Sequence, residues 1–459
     1  MFRSFIGDRT FYLKLFSITV PLVVQQLITT SVQLVDNVMV GRLGEEAISA
    51  VSVINQLYFV VILILFGMMG GAGIYTAQFF GSKDYDKLRQ TFRFKVLMAV
   101  ALSTASLILL SIFGYSLIRL FTTTELTVGL GMDYLNIVRF GVYPLALSIA
   151  ISTTFREIGI TKQIMVVSII AVFVNTFLNY LLIFGNFGFP RLETVGAAYA
   201  TLVARFVELT LMFVLLLKKG RLFSTRPSAI FRIDKKVLRG ILIVALPLTL
   251  NEALWSLGQT GFLHAYSTRG DSALAAMNIT NAISQLVFVT FAAIGTGVAV
   301  LVGNTLGSNQ LEQARENAKK LIAASVVTAV FAGMILFVLS FFIVDLYDIT
   351  LLTRTTAIFN IRVNAFFIPV FSLNVALYFT LRAGGDTRST LMMDSGYMWV
   401  IAVPIALVLA YFTQLPITLM YILIQSLEVP KSLFAIHRYK KGRWLRNLAV
   451  PHKHLESLG

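Results

Sequence analysis

Few side chains in this sequence stand where an apolar environment would force chemistry on them. Asp36 is the only charge in the run from Leu15 to Val40. A carboxylate at that depth costs on the order of 2.5–3.5 kcal/mol on insertion scales unless it is neutralised or faces a polar cavity. Such a group can take up and release a proton, and a cation can stand in for that proton. The alternative is a helix-end aspartate at the membrane interface, beside Asn37 and Gly41. Asn175 and Asn179, in NTFLNYLLIFG, lie one helical turn apart and share a face. Glu252, in LPLTLNEALWSLGQTG, is a second acid in an apolar stretch. It fits a cation-binding group, a proton relay or a structural hydrogen bond. His264 reads as structural, and the absence of cysteine removes disulfides and thiolate metal sites.

The elements that must position these groups are membrane spans. The chain is 459 residues long, 57% hydrophobic and 13% charged, about half the charge of a soluble protein. Apolar stretches long enough to cross a bilayer fall near 15–40, 48–76, 96–118, 131–153, 164–185 and 194–217, then near 240–263, 274–303, 321–344, 356–381, 390–411 and 417–437. No cleavable signal precedes the first of them, which would serve as its own insertion signal. Twelve spans put both termini on one side. Of 38 Lys and Arg, 30 fall on that side, with the 77–95 loop holding Lys95 and the tail group beginning at Lys431. Only Arg42, Arg119, Arg191, Arg269 and Arg354 lie opposite, which places both termini in the cytoplasm. The net charge of +16 is therefore a topology signal, aided by anionic headgroups, and not a nucleic-acid patch. Almost no chain is left for a soluble catalytic domain, so an enzyme is not expected.

The longest basic connection, 218–239, divides the chain near its middle, and the two sides repeat. At an offset of 226 residues Pro21 falls on Pro247, Gly44 on Gly270, Asn55 on Asn281, Gly81 on Gly307 and Arg156 on Arg382. An offset of six spans preserves orientation, so the halves are parallel repeats related by an axis along the membrane normal. The expected architecture is all-α, with two six-helix bundles (1–217 and 240–437) around a central cleft, a cytoplasmic linker (218–239) and a basic tail (438–459). GEEAISA and GDSALAA read as a glycine stop followed by acids in the next helix's first turn. GMMGGAG and AIGTGVAV read as packing or hinge positions, and Pro144 and Pro369 as kinks. FFGSKDYDKLRQ and TLGSNQLEQAREN read as matched structural loops. Arg139, Arg205, Glu208 and Arg362 are expected to pair or snorkel, and Glu428 to be interfacial.

Taken together, the two six-span lobes, the basic linker, the repeated glycine turn and the segment QLVDNVMVGRLG resemble the multidrug and toxic compound extrusion (MATE) family of antiporters. NTFLNYLLIFG and GAAYAT resemble that family's fifth- and sixth-span segments. The resemblance implies an ion-coupling site at Asp36, Asn175, Asn179 and Thr201, with Ala197 on the face of Thr201. Proton or Na+ would be the coupling ion, and Na+ would be held at Asp36, Asn175 and Asn179. Position 179 is Asn where some members have Asp, so Asp36 is the lone carboxylate, which favours the proton. Glu252 maps onto Gln26 and Asp36 onto Phe262, so the lobes are unequal. Members that bind sodium in the second lobe have a seventh-span glutamate nearer Trp255 and a tenth-span aspartate. Here only Asn364 and Asn374 are available, which puts such a site in doubt.

The implied function is export of amphipathic or cationic organic compounds by alternating access, with no cofactor. The protein would be a monomer in the cell membrane, in contact with lipid and not with nucleic acid. Substrate would meet the aromatic- and Met-rich cleft, for which Glu252, Asn55, Gln56, Tyr58, Asn281 and Gln285 are candidates. The competing function is a lipid-linked oligosaccharide flippase, which needs a basic cleft that only Arg139, Arg205 and Arg362 could furnish.

Overall fold

The computed structural model describes residues 7–346 and 349–450, and all its regular elements are helical. Twelve helices are long and apolar enough to cross a membrane. They are α1 (Arg9–Gly41), α2 (Glu45–Gly81), α3 (Tyr85–Arg119), α4 (Glu125–Glu157), α5 (Lys162–Phe184), α6 (Glu193–Lys219) and α7 (Lys235–Ser267), followed by α8 (Asp271–Gly307), α9 (Leu311–Leu339), α10 (Leu351–Ala383), α11 (Thr387–Phe412) and α12 (Ile417–Lys440). Most overrun their apolar stretches because polar residues carry the helix beyond them. At the start of α3, for example, Asp84 Oδ1 accepts the Lys87 amide at 3.1 Å. Gly44 and Gly270 take positive φ before α2 and α8, and Glu45 and Glu46 occupy the first turn of α2. The Asp271 side chain lies outside the described set, as do residues 451–459 of the expected tail.

The repeat governs helix length. Helices α1, α2 and α4 have the same bounds as α7, α8 and α10 at the 226-residue offset. Contacts repeat as well. Gln25 Nε2 donates to Ser168 Oγ at 2.8 Å, and the corresponding Asn251 Nδ2 donates to Asp394 Oδ2 at 3.0 Å. Tyr58 donates to the Val138 carbonyl, and at the matching positions Asn364 donates to Ser284 at 2.7 Å.

The described residues form two compact units. An amino-terminal unit holds 20–76 and 84–245, and a carboxy-terminal unit holds 7–19, 77–83 and 246–450. The amino-terminal core packs Ile54, Leu110, Ile118, Leu135, Ile183 and Ala198. The carboxy-terminal unit has a core around Ala265, Met277, Ala406, Met420 and Tyr421. Within it the two matched loops meet. A Cβ on Gly81 would overlap the Asn304 carbonyl, and one on Gly307 would overlap the Gln78 carbonyl, so close backbone approach accounts for both glycines.

Of the two expected kinks, one is present and one is not. Pro144 interrupts α4, with a 3-10 turn at Arg139–Gly141, because its ring faces the turn whose carbonyl it cannot satisfy. Pro369 produces no comparable break, since α10 runs unbroken from Leu351 to Ala383. Instead α11 widens into π-helical turns at Met392–Gly396 and Met398–Ala402, just ahead of Pro404.

The chain beyond α12 folds back as far as Val450. Trp444 is buried, stacks on Tyr439 and sets its carbonyl against Gly384 where a Cβ would otherwise sit. Gln78 is buried and receives the Leu448 amide at 2.6 Å, while its own amide donates to Ala383 O at 2.9 Å.

Candidate functional site

Asp36 sits on α1 and is half-buried between exposed neighbours. Its Oδ1 accepts from Asn179 Nδ2 at 3.0 Å and from Thr176 Oγ1 at 3.5 Å, both on α5. Asn179 is buried, and its Oδ1 has no hydrogen-bond partner. An unpaired buried acceptor beside a carboxylate is costly, which makes it an available ligand for a proton donor or a small cation.

Asn175 does not reach the acid. It donates to Thr201 Oγ1 on α6 at 3.4 Å. The phase of α5 explains the split. Asn175 faces α6, whereas Thr176 and Asn179, three residues apart, both meet α1. Ala197 is buried one turn before Thr201, in the core that also holds Tyr134. The Tyr134 hydroxyl bonds Thr201 as well, and its ring lies in the electrostatic field of Asp36 and Arg205. One carboxylate, two amides, two hydroxyls and a phenol thus converge from α1, α4, α5 and α6. The donor set fits a proton or a sodium-sized cation at Asp36 and Asn179, with Thr176 beside them, and no metal-ligating group of three His, Cys, Asp or Glu occurs among the described residues.

The remaining sequence candidates are scattered. Asn55 and Gln56 are exposed on α2, and Asn281 and Gln285 are exposed on α8. Tyr58 is engaged through its hydroxyl with the Val138 carbonyl. Glu252 on α7 lies 4.0 Å from Arg382. His264 pairs with Tyr411 at 2.8 Å. The three arginines that the sequence places in spans each have a local contact. Arg205 pairs with Glu208 at 2.9 Å, Arg139 reaches Ser111 and lies over Phe140, and Arg362 lies over Phe341 and bonds Ser340.

Sequence reading missed two charged groups. In the amino-terminal unit Lys95 is fully buried, pairs with Glu157 and reaches Thr154 at 3.2 Å. In the carboxy-terminal unit Asp394 pairs with Lys431 at 3.2 Å, and Lys431 also meets Glu428 at 3.4 Å. Glu428 is therefore part of a half-buried cluster with Asp394 and Lys431 and not an isolated acid. The rule that singles out Asp36 also applies to Asp394 and Lys431, since both fall inside apolar spans.

An all-helical, twelve-span membrane protein built from two repeats, with an acid held by neutral partners in a span, defines a class of secondary transporters. The MatE family model matches residues 21–181 and again 247–412, one copy per half. The chain therefore belongs to the MATE family of transporters. The Bacillus subtilis (strain 168) protein named "Probable multidrug resistance protein YoeA" is 26% identical over 405 residues, 87% of each chain. "Probable multidrug resistance protein NorM" of Thermotoga maritima is 22% identical over 97% of this chain and 96% of its own. Among solved structures, an outward-facing MATE transporter of the MOP superfamily superposes with TM-score 0.85 at 18% identity, covering 96% of this chain and 98% of that one. A MOP superfamily transporter from Pyrococcus furiosus gives 0.84 at 18% identity, covering 96% of each chain.

Proposed function

We propose that this protein exports amphipathic or cationic organic compounds across the cell membrane in exchange for a cation, and that Asp36 is the coupling carboxylate. The relatives are named as probable multidrug resistance proteins, which supports export of drug-like compounds. The observation that carries the coupling assignment is the Asp36–Asn179 contact, together with the unpaired Oδ1 of that same amide.

The pair has two hydrogen-bonding states. With Asp36 ionised, Asn179 Nδ2 and Thr176 Oγ1 donate to it. With Asp36 protonated, the acid becomes a donor, and rotation of the Asn179 amide presents Oδ1 as acceptor. The exchange reverses donor and acceptor between α1 and α5 without moving a charge through lipid. Transport couples to it only if substrate binds the two states unequally. A lone acid among neutral neighbours favours the proton. Sodium is the second reading, favoured by the open Oδ1 of Asn179 beside the carboxylate. Both termini face the cytoplasm in this scheme, and the working unit is a monomer. The flippase alternative finds no support, because Arg139, Arg205 and Arg362 are each engaged locally.

The test is ethidium efflux from vesicles under an imposed pH gradient and, separately, a sodium gradient. Asp36→Asn should abolish gradient-driven efflux, and the gradient that drives wild type identifies the ion. Undiminished transport by Asp36→Asn would remove the assignment.

A further inference from the structure

The coupling scheme leaves unused the charged cluster of the carboxy-terminal unit, where two carboxylates are each half-committed. Asn251 Nδ2 donates to Asp394 Oδ2 at 3.0 Å, and Asn374 Nδ2 donates to Glu428 Oε2 at 2.7 Å. The other two oxygens, Asp394 Oδ1 and Glu428 Oε1, converge on the Lys431 ammonium at 3.2 and 3.4 Å. The amides are anchored in turn. Asn251 Oδ1 accepts from the backbone and hydroxyl of Ser395, and its Nδ2 also reaches Tyr378. The π-helical turn of α11 allows the consecutive residues Asp394 and Ser395 both to face Asn251.

The two carboxylates, on α11 and α12, are thus held by amides on α7 and α10 as well as by the lysine. A further acceptor is spare, since Asn374 is 2% exposed and its Oδ1 has no partner. The Lys431 side chain is itself only 9% exposed. The other charges nearby, Glu252 and Arg382, face each other at 4.0 Å. At the repeat positions of Asp394 and Lys431 the other unit has Ser168 and Arg205, and Arg205 pairs within its own helix with Glu208. The cradle belongs to the carboxy-terminal unit alone.

We propose that Asp394, Glu428 and Asn374 form a site for one monovalent cation, and that the tethered ammonium of Lys431 is its built-in occupant. With the lysine side chain removed, the site takes either a sodium-sized ion or the ammonium of an organic amine. This requires nothing of Asp36, so it stands or falls separately from the coupling scheme.

The experiment is chemical rescue in purified full-length protein, read as melting temperature. Lys431→Ala should melt several degrees below wild type, because two half-buried carboxylates lose their partner. Titration with n-propylammonium or with sodium should raise its melting temperature saturably, since a ligand that binds only the folded state stabilises it. Choline chloride at equal ionic strength should not. Recovery with the amine alone identifies an organic ammonium as the ligand, and recovery with sodium an inorganic ion. Wild type should not respond, and neither should Lys431→Ala/Asp394→Asn. Lys431→Gln is carried through the same titrations. If either variant is recovered folded only when solubilised with the amine, the site is likewise supported. The proposal is overturned if neither cation shifts the variants beyond choline, if the shift survives in the double variant, or if neither variant is recovered folded even with both cations present.

Discussion

At the position where α1 carries Asp36, α7 carries Phe262, and where α5 carries Ser168, α11 carries Asp394. The same divergence runs through the buried ion pairs. Lys95 and Glu157 of the amino-terminal unit correspond to Leu321 and Ala383, while the Ser325–Ser372 pair of the carboxy-terminal unit, at 2.6 Å, corresponds to Ala99 and Ala146. The bounds of α1, α2 and α4 survive this exchange in α7, α8 and α10 because they depend on caps, glycines and overall apolarity. The residue types that make the polar contacts do not survive it, even where a contact recurs at matched positions, since each needs only a local partner. Duplication thus preserves the frame while each unit evolves its own electrostatics. In the amino-terminal unit Asp36 meets the neutral partners Asn179 and Thr176, the setting on which the proposed coupling rests, while Glu157 and Glu208 pair with Lys95 and Arg205. The carboxy-terminal unit pairs its acids with its own cations.

Exchanging residues between the units tests this comparison. The largest effect is expected from Lys95→Leu, which installs the other unit's residue and strands Glu157. A buried charge left unpaired costs about 3–5 kcal/mol, so the melting temperature and folded yield should fall sharply. Lys95→Leu/Glu157→Ala, the full exchange, should recover more than half of that loss. Equal damage in both variants would mean that the pair does more than neutralise itself. Next is Trp444→Ala. Truncating a buried tryptophan costs about 3–5 kcal/mol in a rigid core, and the lower end applies to a segment near the chain end. The specific sign is faster hydrogen exchange at Leu448, whose amide is held by Gln78, with exchange near Asp36 unchanged. The smallest effect is expected from Ser325→Ala/Ser372→Ala, which copies the alanines of the amino-terminal unit. Removing both partners of a buried hydrogen bond should change stability by no more than about 1 kcal/mol. A larger loss would show that the two cores are not interchangeable.

Much of the frame is legible in the sequence because bilayer crossing demands about 20 apolar residues and the repeat supplies an internal ruler. The Asp36–Asn179 contact is legible through the family resemblance. The one-residue shift that brings Thr176, and not Asn175, to the acid is not, because it depends on how α5 rotates between α1 and α6. Lys95 and Glu157 escape notice because charges at span ends read as loop charges, and only packing shows that they are buried. Lys431 is obscured when the positive-inside count assigns it to the tail. The folded stretch 441–450 has no strong local signal, since its anchors, Gln78, Gly307 and Gly384, are distant in sequence.

The central claim concerns a proton exchanged at Asp36, and the most direct measurement is proton release when substrate binds. Ethidium added to purified protein in weakly buffered detergent should release protons from wild type and from Glu252→Gln, and none from Asp36→Asn. Equal release from Asp36→Asn, or loss of release in Glu252→Gln alone, would contradict the account.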